Sequence, residues 1–204
     1  PLPVEKSDRP ENSPVERLAT TAPFSTDYPH LFALNDGNVY AFGRTPAEQW
    51  SFDPATGAVG VLPPRPDGAV RAYGSAVPLP GGPGGPSSVL VLGGDRTNPN
   101  TYEYSRGQWS TRQPRAFGRT QDDTLLMPDG TLLTVNGSYD VRDYGNGLFN
   151  PESDLKYRQV EIRDAAGNWR LGPAQRLPRG YHSNAVLLPD GRVMVTGDEL
   201  QQLA

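Results

Sequence analysis

The sequence contains no cysteine. No disulfide can form within it, no thiolate is available to hold a metal, and the redox character of its surroundings cannot be read from it. Histidine is almost as scarce, with His30 and His182 the only two. A metal centre built from several imidazoles of this chain alone is effectively excluded. No apolar run approaches the roughly 20 residues of a helical membrane span. Charge of one sign is not concentrated either. Nineteen Lys and Arg stand against 23 Asp and Glu, for a net charge of -4, and the basic stripe of a nucleic-acid-binding protein is missing. There is no leader pattern, and the first residue is Pro1 rather than Met. A mature, trimmed or excerpted polypeptide is therefore expected.

What the chain has in excess is punctuation. It holds 23 Gly and 22 Pro, while hydrophobic residues make up only 35%. The apolar residues are grouped in short runs separated by turn signals. That grouping favours an all-β protein with many short strands over disorder.

One phrase recurs along the chain: an apolar run, a turn, a second apolar run, then Gly. It runs from Tyr28 to Gly43, with Asp36-Gly37 at its centre. It returns from Tyr73 to Gly94, around a Gly/Pro-rich loop. It returns again from Thr124 to Gly137 around Asp129-Gly130, and from His182 to Gly197 around Asp190-Gly191. Each copy reads as a β-hairpin, because Asp-Gly supplies the positive-φ residue that a tight reversal needs. Flanking runs that are apolar nearly throughout suit strands buried on both faces. After each of the first three hairpins comes a second phrase, a strand, a turn and another strand. That last strand carries Val59, Trp109 or Trp169.

Two hairpins per unit make a four-stranded antiparallel blade, and a period of roughly 40–60 residues fits a kelch-type β-propeller. The blades are expected at about 28–62, 71–113 and 119–172, with the first hairpin of a fourth at 179–204. Residues 1–27 read as an extended N-terminal segment. A β-sandwich shares the short strands but gives no reason for the phrase to recur in phase with a later aromatic strand. Three and a half blades cannot close a ring, so the chain by itself is expected to be unstable or associated.

Chemistry concentrates in Arg179-Gly180-Tyr181-His182-Ser183, followed by Leu188-Pro189-Asp190-Gly191. The repeat puts Tyr181 and His182 at the start of an innermost strand, at one mouth of the central channel. An imidazole suits copper, zinc or iron, and a phenolate is a harder anionic donor, so the pair can form half of a metal site. A hydrogen-bonded structural His and a packed Tyr fit the same positions. Asp122 and Asp123 are adjacent and point to opposite faces of a strand, so they do not form a catalytic pair. His30 reads as structural, and Asp198 and Glu199 as solvated loop carboxylates.

The same phrase resembles the copper radical oxidases of the galactose oxidase and glyoxal oxidase family. Their signature is Arg-x-Tyr-His-Ser followed, after several apolar residues, by Leu-Pro-Asp-Gly. The resemblance extends from about Tyr28 to Gly197. It implies that Tyr181 is the axial copper ligand and catalytic base, and that His182 is an equatorial copper ligand. It implies a substrate-contacting role for Arg119, which precedes Pro128-Asp129-Gly130 by the family's interval. Phe149 lies loosely near the place of a pocket aromatic. The implied reaction is two-electron oxidation of a primary alcohol, aldehyde or carbohydrate by oxygen, yielding hydrogen peroxide, in a secreted or cell-envelope protein.

The departures are as informative. The family's radical Tyr is thioether-linked to a Cys, and this chain has none, so that crosslink cannot form within it. Tyr73 begins an inner strand but falls too late in the blade order to be the radical Tyr, and reads as structural. The remaining blades, and the C-terminal domain that carries a further ligand His, are expected from absent sequence or another chain. The alternative is a non-catalytic kelch module that binds glycan or protein.

Overall fold

In the computed structural model the described residues are 28–138, 158–180 and 182–197. They form an all-β partial propeller of three four-stranded antiparallel sheets and one two-stranded hairpin. The first sheet holds β1 (His30–Ala33), β2 (Val39–Phe42), β3 (Gln49–Phe52) and β4 (Val59–Val61). The second holds β5 (Gly74–Leu79), β6 (Ser88–Gly93), β7 (Thr101–Ser105) and β8 (Gln108–Arg112). The third holds β9 (Thr120–Leu126), β10 (Leu132–Ser138), β11 (Gln159–Arg163) and β12 (Trp169–Ala174). The hairpin is β13 (Asn184–Leu187) with β14 (Val193–Thr196). Strands within each sheet lie in chain order, the meander that short turns allow. The segment 1–27 lies outside the described residues.

The reversals follow from their sequence. In the first hairpin Gly37 N–H donates to Leu34 O at 3.0 Å, with Gly37 at φ 86°. Asp36 accepts from Asn38 N–H at 3.0 Å, so the turn satisfies its own donors. The loops at Asp129-Gly130 and Asp190-Gly191 repeat this arrangement, with Gly130 donating to Met127 O and Gly191 to Leu188 O, both at 2.9 Å. Glycine is required at these points because a side chain at that φ is strained.

β6 holds the stack together. All six of its residues are buried. Strand alternation sends Val89 and Val91 toward the first sheet, where they and the neighbouring Tyr104 of β7 pack with Leu34, Tyr40, Phe42 and Leu62. Leu90 and Leu92 point the other way and pack with Val77 and Leu132, with Trp169 alongside. Trp109 seals the first of these cores. Its ring lies edge-on to Phe42 and Tyr104 at 5.5 and 5.2 Å, and its Nε1–H donates to Pro63 O at 2.9 Å. A buried Leu or Val contributes about 1.5–3 kcal/mol each.

The two ends of the stack differ from its middle. Across the first sheet, Leu31, Ala41, Trp50 and Val61 stand in register on the face turned away from the second sheet. Leu31 is 60% and Val61 70% exposed. At the other end Val186 pairs with Met194 on the outward face of the hairpin, and both are exposed. These are apolar faces of the kind that the middle sheet buries.

Leu90 has zero exposure and sits where the second and third sheets meet. Leu90→Ala should lower stability by about 2–5 kcal/mol. Chemical denaturation followed by tryptophan fluorescence will measure it, and Leu31→Ala should cost far less.

Candidate functional site

The innermost strands β1, β5, β9 and β13 start in the same way. Each has a non-glycine residue in the left-handed region just before it or, in β9, at its second position: Tyr28 (φ 57°), Tyr73 (φ 57°), Gln121 (φ 57°) and His182 (φ 56°). Such a conformation costs on the order of 1–2 kcal/mol for a residue with a Cβ. Its recurrence marks a built-in reversal that brings the chain onto each inner strand. Gln121 N–H donates to Tyr73 O at 2.8 Å, so neighbouring strand starts are tied together. Tyr28 and Tyr73 pack at a ring separation of 6.5 Å over a cavity of about 70 Å³. His30, Arg44, Arg71 and Ser75 also line this cavity. The repeat phrase begins at both tyrosines, but their contact was not legible from it.

His182 is exposed at the start of the last hairpin. Ser183, beside it, donates its N–H to Gly180 O at 3.1 Å. The preceding Arg179 reaches Gly197 O at 2.7 Å and so clasps the far end of β14. Tyr181 lies outside the described residues, as do Phe149, Asp198 and Glu199. Among the described residues no group of three or more His, Cys, Asp or Glu could hold a metal ion. His182 thus presents an exposed imidazole at the start of this hairpin.

Arg119 is found inside the protein, with zero exposure. Its Nε donates to Glu161 Oε2 at 2.9 Å and its Nη1 to Asn136 O at 2.9 Å. The Nη2 hydrogen bond goes to Gln159 O. Burial pulls the guanidinium below its usual pKa, and the Glu161 charge opposes that shift. The second sheet repeats the arrangement. Arg71 donates to Asp67 and, through Nη1, to Gly93 O at 2.7 Å. Each arginine grips the carbonyl just before a left-handed glycine, Gly94 or Gly137. This is the geometry of a strut that locks the end of the second strand of a sheet. Contact with a substrate would require the Arg119 guanidinium to leave these partners.

The adjacent aspartates do face opposite ways. Asp122 pairs with Arg115 at 2.6 Å, both side chains fully buried, and its Oδ1 lies so close over Gly93 that no Cβ would fit there. Asp123 points toward the last hairpin. It accepts from Asn136 Nδ2 at 2.7 Å and from Ser183 Oγ at 3.4 Å. Burial pushes its carboxyl up to about 6, with Asp122 adding to the shift and the two hydrogen bonds opposing it. His30 goes the other way. Burial lowers its pKa, against the hydrogen bond to the Gly74 backbone and the charge of Asp122.

Two outcomes are expected. Glu161→Ala removes the ion-pair partner of the buried Arg119 and should cost about 3–5 kcal/mol in denaturant unfolding. Asp123 carries a carboxyl pKa that is higher in the folded state than in the unfolded chain, so the folded state holds the extra proton between about pH 4 and 6. Its contribution to stability is full below about pH 4 and is lost as pH rises through about 6. Asp123→Asn should flatten this slope, read from melting temperatures between pH 4 and 8.

No known protein-family profile matches the chain. Individual proteins do. Aldehyde oxidase GLOX of Vitis pseudoreticulata is 26% identical over 206 residues, covering 83% of this chain and 36% of that protein. Galactose oxidase of Gibberella zeae is 26% identical over 204 residues, covering 86% of this chain and 27% of the enzyme. Among solved structures, a fungal alcohol oxidase of the AA5 family, in complex with copper, superposes with a TM-score of 0.67 at 20% identity. That match covers 83% of this chain and 36% of the other. The chain is thus similar in sequence to galactose oxidase and glyoxal oxidase-like proteins and shares the fold of a solved alcohol oxidase, spanning about a third of the length of those it matches.

Proposed function

We propose that this chain is the Tyr-His-bearing part of a copper radical oxidase that converts a primary alcohol or aldehyde with oxygen to the oxidised product and hydrogen peroxide. The observation that carries this reading is the Arg179-Gly180-Tyr181-His182-Ser183 phrase, with His182 exposed at the start of an inner strand. The donor chemistry fits copper in part. A neutral imidazole is a good copper ligand, and a phenol beside it offers an anionic oxygen. Copper, when bound, supplies the one-electron redox chemistry and a template for substrate.

The residues of this chain have narrower tasks. His182 holds its position through the turn and offers one ring nitrogen. Tyr181 takes the substrate hydroxyl proton at its phenolic oxygen. Arg119 serves from within, holding the second and third strands of its sheet. The radical Tyr, its Cys partner and the further His come from sequence outside this chain or from another chain. The outward rows Leu31–Val61 and Val186–Met194 are the faces on which further blades would pack. The whole protein is secreted or associated with the cell envelope, and no helix among the described residues is long and apolar enough to cross a membrane.

A second reading, a non-catalytic module for glycan or protein, is favoured by one observation. The described residues contain no cluster of metal ligands. The test is copper content by elemental analysis, with peroxide release on simple aldehydes and primary alcohols, using the protein with any partner chain. The oxidase reading expects His182→Ala to lose copper and Tyr181→Phe to lose turnover by at least about 100-fold, the scale of a general-base contribution. A protein without copper, in which Tyr181→Phe changes nothing, sinks it in favour of the binding module.

A further inference from the structure

We propose that Asp123 is a positioning residue for the turn that carries His182, acting through Ser183 from the preceding sheet. The proposal rests on the copper-ligand reading of that turn, and its geometry is independent of it.

The turn is held at both ends by the third sheet. Before the pair, Gly137 N–H donates to Arg179 O at 2.8 Å. After it, Ser183 Oγ donates to Asp123 Oδ2 at 3.4 Å. The two anchors are one unit, because Asn136, next to Gly137, donates its Nδ2 to the same Asp123 oxygen at 2.7 Å. Asn136 has zero exposure, and Gln175 fixes it in turn. The Asn136 N–H donates to Gln175 Oε1 at 3.1 Å, and Gln175 Nε2 donates to Asn136 Oδ1 at 3.0 Å. A chain of polar contacts therefore runs from the end of β12 through β10 and β9 to the residue after His182.

This arrangement goes further than fold maintenance requires. The hairpin already packs on β9 and is clasped by Arg179 at Gly197. A partly buried carboxylate is a costly way to add one more anchor. A carboxylate that accepts the free ring N–H is a common orienting partner of a metal-binding His. Here it acts one residue along the chain rather than on the ring itself. Asp122 has no part in this, since it faces Arg115 and Gly93 on the other side of β9.

The test uses the whole protein, with any partner chain, in two arms. One is Cu(II) affinity by chelator competition. The other is NMR of the two imidazoles without metal at fixed pH, where His30 serves as the internal control. Ser183→Ala is the central variant, because it removes the hydrogen bond without changing charge. Asp123→Ala and Asp123→Asn complete the set. The expected result is Cu(II) affinity weakened about 10- to 100-fold in Ser183→Ala and Asp123→Ala. Asp123→Asn, which keeps an acceptor oxygen, stays near the unsubstituted protein. The double variant is no weaker than Asp123→Ala, because the two residues act as one contact. The His182 resonances move while those of His30 do not.

Unchanged copper affinity and an unmoved His182 signal in Ser183→Ala overturn the proposal. If the unsubstituted protein binds no Cu(II), the copper reading fails on its own, and the imidazole spectra alone decide the positioning role. Should Asp123→Ala not fold, Ser183→Ala and Asp123→Asn carry both arms.

Discussion

β6 has no face toward water. Every residue from Ser88 to Gly93 is buried, and the alternation of Val89 and Val91 with Leu90 and Leu92 binds a sheet on either side. A strand apolar on only one face would leave either the first or the third sheet without a partner. The stacking of the three sheets depends on this one strand. The same requirement explains the exposed rows at the two ends. The face made of Leu31, Ala41, Trp50 and Val61 carries the residues of an interior, and its outer members Leu31 and Val61 stand exposed.

Buried arginines supply the second constraint. A propeller sheet must end each strand without leaving carbonyls unpaired, and a left-handed glycine turns the chain away just there. Arg71 and Arg119 fill that gap by donating to Gly93 O and Asn136 O. Each is charged and enclosed, so each depends on an acid, Asp67 or Glu161. Such pairs add little net stability when intact and cost much when broken. Their effect is to fix geometry, and the geometry they fix includes Asn136, on which Asp123 and the His182 turn both lean.

The resemblance gives Arg119 a substrate-contacting role, and in the structure its guanidinium pairs with Glu161. Its spacing from Pro128-Asp129-Gly130 matches the substrate-contacting arginine of the oxidases, yet its guanidinium lies wholly within the protein. Spacing along a strand specifies position but not direction. The partner that draws Arg119 inward, Glu161, lies 42 residues further on, and nothing local ties the two together. Asp123 shows the converse. Adjacency to Asp122 showed only that the two carboxylates face opposite ways and form no catalytic pair, and only Asn136 and Ser183 reveal what the second one holds.

What the sequence by itself determined was local and periodic. Asp36-Gly37, Asp129-Gly130 and Asp190-Gly191 dictate reversals because a tight turn needs a positive φ. The apolar runs beside them dictate strands buried on two faces, and their recurrence dictates a partial propeller. The Arg179–Ser183 phrase marked the candidate ligand pair. Tertiary structure alone decided which polar residues turn inward. Arg119, Asp122, Asp123 and Asn136 owe their roles to partners between 7 and 60 residues away. A buried charge takes its direction from whichever partner satisfies it, and that partner is brought close only when the sheets have stacked.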